Sequence, residues 1–96
     1  MNSFGKYECY KLLDLALDGE VSNFAFSKIN TTEFISEFSF RKYDFSATFI
    51  EENDLIKLTE VKSRNGNTKE LGNYVFFIKL CIEKQIMINK LFQNQN

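Results

Sequence analysis

Asp44, Glu60 and Lys62 are the residues whose types and spacing suit chemistry. Glu60 and Lys62 sit one residue apart in LTEVKS, residues 58–63, and side chains at i and i+2 of a strand share a face. Asp44 opens the preceding run of alternating aromatics, DFSATF. A hairpin with Glu52, Asn53 and Asp54 as its loop sets Asp44 opposite Lys62 and Ser46 opposite Glu60. Asp44, Glu60 and Lys62 then fall on one face, while Tyr43, Phe45, Ala47, Phe49, Leu55 and Val61 fall on the other. A register shifted by one residue would turn Asp44 into the aromatic layer, where an unpaired carboxylate is costly. Two carboxylates drawn together repel unless a cation lies between them. Mg²⁺ (or Mn²⁺) takes oxygen ligands and keeps waters that a phosphate can replace. A lysine beside such an ion orients the attacking water and stabilises charge building on the phosphate. The chemistry expected of this cluster is hydrolysis of phosphodiester bonds.

Three kinds of element must position these groups. GKYECYKLLDLALDG, residues 5–19, has Tyr7, Tyr10, Leu13 and Leu17 at helical spacing, with Glu8, Lys11, Asp14 and Asp18 on the other side. It reads as an amphipathic helix capped by Ser3 and stopped at Gly19. From Val21 to Phe49 the period changes to two, through Phe24 and Phe26, Phe38 and Phe40, then Tyr43, Phe45, Ala47 and Phe49. The apolar parity switches between Phe40 and Tyr43, which marks a turn or bulge at Arg41-Lys42. Asn30 to Glu33 suit either the cap of a short helical turn or a loop, and Asn65-Gly66 marks a turn. From Thr68 or Asn73 to Phe92, Lys79, Glu83 and Lys90 form a narrow stripe and apolar residues fill most of the remaining circumference. A helix buried on much of its surface fits, although Tyr74, Phe76, Ile78, Leu80 and Ile82 also suit a strand followed by a short helix. The fold expected is α+β, with an N-terminal helix, a mainly antiparallel sheet of three or four strands and a long C-terminal helix on the aromatic face.

Composition bounds the function. Ninety-six residues with 44% apolar content, including eleven Phe, suit a single domain spanning 1–96 with one packed core. Twelve basic residues against thirteen acidic leave a net charge of −1, so any contact with DNA must be local. Histidine is absent, which removes the commonest general base and zinc ligand. Cys9 and Cys81 lie in apolar surroundings without metal-ligand spacing and read as reduced core thiols. No signal peptide or membrane-spanning run is evident, and a cytoplasmic protein is the expectation.

Asp44-Phe45, a β-turn, then Glu60-Val61-Lys62-Ser63-Arg64 resemble the core of the PD-(D/E)XK nuclease superfamily, particularly its small Holliday-junction-resolvase-like members. The resemblance covers residues 5–90. It implies a restriction-endonuclease-like core whose adjacent antiparallel strands carry Asp44 and Glu60 as Mg²⁺ (or Mn²⁺) ligands and Lys62 as the lysine assisting the nucleophile. Gly5-Lys6-Tyr7-Glu8 opens the first helix as resolvase-like members open theirs, which implies Glu8 as a supporting metal ligand. Lys84-Gln85 falls in a following helix where such proteins carry Lys or Gln. With Lys42 and Arg64 beside the neighbouring phosphates, Lys84 completes the implied DNA contacts. Tyr43 stands where the name-giving proline would be, and the family's final strand has no counterpart here.

A second expectation belongs to another class: a non-catalytic interaction protein, such as a toxin-neutralising immunity protein or a phage-encoded inhibitor. Asp14, Asp18 and Glu20 would supply an acidic patch. The apolar circumference of the last helix, around Val75, Ile82 and Ile86, would supply the surface for a homodimer or another protein partner.

Overall fold

Phenylalanines at every second position build the sheet and decide which side of it is covered. The computed structural model describes residues 6–53, 55–65 and 68–94. Its elements are α1 (Lys6–Ala16), β1 (Val21–Lys28), β2 (Glu33–Phe40), β3 (Tyr43–Glu52), β4 (Leu55–Ser63) and α2 (Thr68–Asn94). The four strands form one sheet in the order β1-β2-β3-β4, and each neighbouring pair is antiparallel. The α+β arrangement of helix, antiparallel sheet and long final helix is therefore the fold.

Pairing of Phe34 with Phe49, Ser36 with Ala47 and Phe38 with Phe45 puts the aromatic ladders of β2 and β3 on one face. The Phe38 and Phe45 rings stack at 5.9 Å. Onto this face α1 brings Cys9, Leu12 and Leu13, the turn after it brings Leu17, and α2 brings Ile78, Ile82 and Ile86. Tyr10 meets Phe24 edge-on at 4.5 Å and fastens α1 over β1. Tyr7, expected on the buried side of α1, points outward and is 68% exposed, because the apolar arc of the helix centres on Leu13 with Cys9 and Leu12 beside it. Gly19, at φ 72°, ends the helix, and its N–H donates to the Asp14 carbonyl at 2.8 Å. Ser3 lies outside the described residues.

The connections follow from local chemistry. Asn30 Oδ1 accepts from the N–H groups of Thr32 and Glu33, both at 2.9 Å, so residues 29–32 form the loop between β1 and β2 and no helical turn. Phe40 pairs with Tyr43, leaving Arg41-Lys42 as a tight hairpin loop with Arg41 at φ 60°. Residues 73–82 belong wholly to α2, so the alternative of a strand followed by a short helix does not occur. Asp54 and Gly66 lie outside the described residues.

One register differs from the sequence expectation. Glu52 pairs with Leu55, and the pairing continues to Phe49 with Leu58 before it shifts to Thr48 with Glu60. Thr59 is the extra residue of a β-bulge, and its hydroxyl donates to the Thr48 carbonyl at 3.0 Å. The bulge lets Ile56, Leu58 and Val61 all face the core although strict alternation would turn Val61 away from Leu58. Leu55, expected in the core, is only half-buried. Asp44 consequently aligns with Arg64, whose N–H donates to the Asp44 carbonyl at 2.8 Å, and Glu60 aligns with Thr48. Among the described residues no helix is long and apolar enough to cross a membrane.

Candidate functional site

The helices cover one face of the sheet, and the other carries the polar side chains singled out in the sequence. Three groupings occupy this open face. Near its β1 end, the Asn23 amide donates to Ser39 Oγ at 3.3 Å, and the Ser39 hydroxyl donates to the Asp44 carboxylate at 2.6 Å. The Asp44 N–H donates to Asn65 Oδ1 at 2.8 Å. Arg64 Nη1 meets Glu37 Oε2 at 3.1 Å, a bridge from β4 to β2 that spans β3. Lys62 Nζ and Glu60 Oε1 stand 3.7 Å apart, with both side chains more than half exposed.

Asp44, Glu60, Lys62 and Arg64 thus share a face, but Asp44 and Glu60 do not converge. Glu60 lies opposite Thr48, four residues along β3 from Asp44, a separation of about 13 Å at the rise of a strand. Glu8 belongs to α1, on the far side of the sheet, and lines a surface hollow with Lys11 and Leu12. These three carboxylates do not fit a shared Mg²⁺ or Mn²⁺ ion, because no single ion reaches oxygen ligands so far apart. Among the described residues no group of three or more His, Cys, Asp or Glu could hold a metal. The implied DNA contacts are dispersed as well. Lys42 sits at the β2–β3 turn with its ammonium 5.3 Å from the centre of the Tyr43 ring, Arg64 is engaged with Glu37, and Lys84 projects from α2.

Cys9 offers no alternative nucleophile. It is fully buried, and desolvation, with the nearby charges of Glu8 and Glu51, pushes its thiol up to about 12, so at neutral pH it is protonated. Burial likewise raises Cys81, helped by Asp18 and opposed by Lys84.

The feature that sequence reasoning misplaced is on α2. Val75, Ile82 and Ile86 were the expected partner surface, yet Ile82 and Ile86 are buried in the core and Val75 is half-buried. Phe77 and Phe92 point outward, and so does a stripe of Phe76, Leu80, Met87 and Leu91, exposed by 53, 53, 56 and 57%. At 100° per residue the residues of the stripe fall within about 60° of the circumference, roughly half a turn from Ile78, Ile82 and Ile86. Their spacing of 4, 7 and 4 residues is visible in the sequence, but only packing shows which of the two apolar stripes faces the sheet. Beside the outer stripe lie a cavity of about 490 Å³ between α2 and β4 around Met87 and Lys57, one of about 340 Å³ on α2 around Leu80, and one of about 380 Å³ between α2 and β4 around Gly72 and Lys62. No protein-family model, curated protein or solved structure matches the chain.

Proposed function

We propose that this chain is a non-catalytic interaction protein that binds an acidic protein partner through the outer side of α2. The observation that carries this role is the second apolar stripe, Phe76, Leu80, Met87 and Leu91, more than half exposed along a helix whose opposite stripe is buried. Solvated apolar surface of this extent is stabilised by burial against a partner, at about 25 cal/mol per Å². Lys79, Lys84 and Lys90 flank the stripe, and among the described residues none has an acidic group within salt-bridge distance. Unpaired cations around an apolar strip favour a partner with carboxylates around an apolar centre. The separation of Asp44 from Glu60 supports the same choice, because it removes the convergent acids on which the nuclease expectation rests.

Site-specific photo-crosslinking in the producing cell tests the proposal. A photoreactive residue replacing Leu80 should give one discrete adduct with an acidic protein, and the same residue replacing Thr48 on the open face should give none. Absence of an adduct at position 80, or the same adducts at both positions, would overturn it.

A further inference from the structure

We infer that the groove between α2 and the outer edge of β4 receives an extended acidic segment of the partner, which adds to the sheet as a fifth strand. This deepens the interaction role and rests on it.

β4 is an end strand, hydrogen-bonded on one side to β3 alone. The Arg64 N–H points to β3, so by alternation the backbone groups of Lys62 and Glu60 point inward while those of Val61 and Ser63 point outward. These outward donors and acceptors are what an added strand requires. The bulge at Thr59 breaks the edge, which confines regular pairing to Glu60–Ser63.

The space beyond that edge has the right length and chemistry. The three cavities are neighbours, since two share Glu83 and two share Gly72 and Val75. β4 lines the two outer ones, at Lys62–Ser63 and at Lys57–Leu58, and α2 alone lines the one between them. The helix wall is Leu71, Gly72 and Val75 beside Lys62 and Ser63, and the outer apolar stripe farther along. Side chains of an added strand alternate between faces, so beside Glu60–Ser63 every second one enters the groove against Leu71 and Val75 and the others project toward Lys62 on the open side. Among the described residues Lys57, Lys62, Lys79 and Lys90 line these cavities with one acidic residue, Glu83. Lys57 and Lys62 meet Glu52 and Glu60 only loosely, at 3.8 and 3.7 Å on the exposed surface, so an incoming carboxylate competes for them readily. The segment selected is one that alternates apolar and acidic residues.

The test uses the full chain, ¹⁵N-labelled, and a capped eight-residue peptide alternating Val and Glu. Binding should shift the amides of residues 60–63 and 72–91 and slow hydrogen exchange at Val61 and Ser63. A double charge reversal, Lys79→Glu at an exposed position with Lys90→Glu at a half-buried one, should weaken binding about tenfold while leaving the unbound spectrum folded. Equal binding of the Val-Lys counterpart, shifts confined to the β1 edge, chain dimerisation in place of peptide binding, or no binding at millimolar peptide would each overturn strand addition. If crosslinking at position 80 succeeds while Val61 and Ser63 gain no protection, strand addition fails and the interaction role survives. If crosslinking fails, the interaction role itself is lost.

Discussion

Asp44 and Glu60 occupy the same open face of the sheet, yet Glu60 stands opposite Thr48 and not beside Asp44. Two one-residue steps cause this: the hairpin closes with Glu52 paired to Leu55, which leaves a shorter loop than expected, and the bulge at Thr59 then carries Val61 to the core side and sets Glu60 opposite Thr48. Each acid instead has a local partner, the Ser39 hydroxyl for Asp44 and the Lys62 ammonium for Glu60.

Divalent metal should accordingly leave the melting temperature unchanged. A single site with a dissociation constant of about 0.1 mM would add roughly 2.3 kcal/mol at 5 mM Mg²⁺, or about 10 °C for a domain of this size. Calorimetry with Mg²⁺ and Mn²⁺ decides, and a rise of that order would restore the metal-site expectation. Cleavage assays on duplex and branched DNA should likewise find no activity that Glu60→Gln removes.

Ser36 lies on the core face between Phe34 and Phe38, and its buried hydroxyl has no hydrogen-bond partner. Ser36→Ala should therefore stabilise the protein by about 1 kcal/mol, since it removes an unsatisfied polar atom at little cost in volume. Phe45→Ala, by contrast, empties a fully buried ring site stacked on Phe38 and should cost about 3–5 kcal/mol. Urea midpoints of the two variants should move in opposite directions.

Alkaline pH should weaken the fold through Cys9. Its folded-state value of about 12 lies above the ordinary thiol value of 9.0, so its contribution is complete below pH 9 and is lost as pH rises toward 12. Over that window the unfolded chain releases the proton first, and stability should fall by up to about 1.4 kcal/mol per pH unit. Lysines titrate in the same range, so the measurement is the difference in slope between wild type and Cys9→Ala in urea unfolding at pH 8, 9.5 and 11. Identical slopes would show that Cys9 is not the source.

The Arg64–Glu37 bridge, at 3.1 Å with both side chains about 40% exposed, should couple β2 to β4 by no more than about 1 kcal/mol. A double-mutant cycle with Arg64→Ala and Glu37→Ala measures it, and the coupling should shrink in 1 M salt. The looser Lys62–Glu60 pair should show almost none.

By itself the sequence determined the first helix, the strands and the covered face. Alternating Phe34, Phe38, Phe45 and Phe49 can bury their rings only as strands, and the tight loop at Arg41-Lys42 follows from the parity change it must absorb. The periodicity of 73–82 was ambiguous in the sequence, because an apolar run that is buried on one side and exposed on the other satisfies both helical and strand spacing. Tertiary structure decided the rest. A bulge arises where two strands of fixed length must both bury their apolar residues, and nothing local at Thr59 announces it. The two apolar stripes of α2 are nearly equivalent as sequence patterns, and only contact with the sheet and α1 determined that Ile78, Ile82 and Ile86 fill the core and Phe76, Leu80, Met87 and Leu91 face outward. Which residues can act together is therefore set by register and packing, through distances that a linear spacing does not contain.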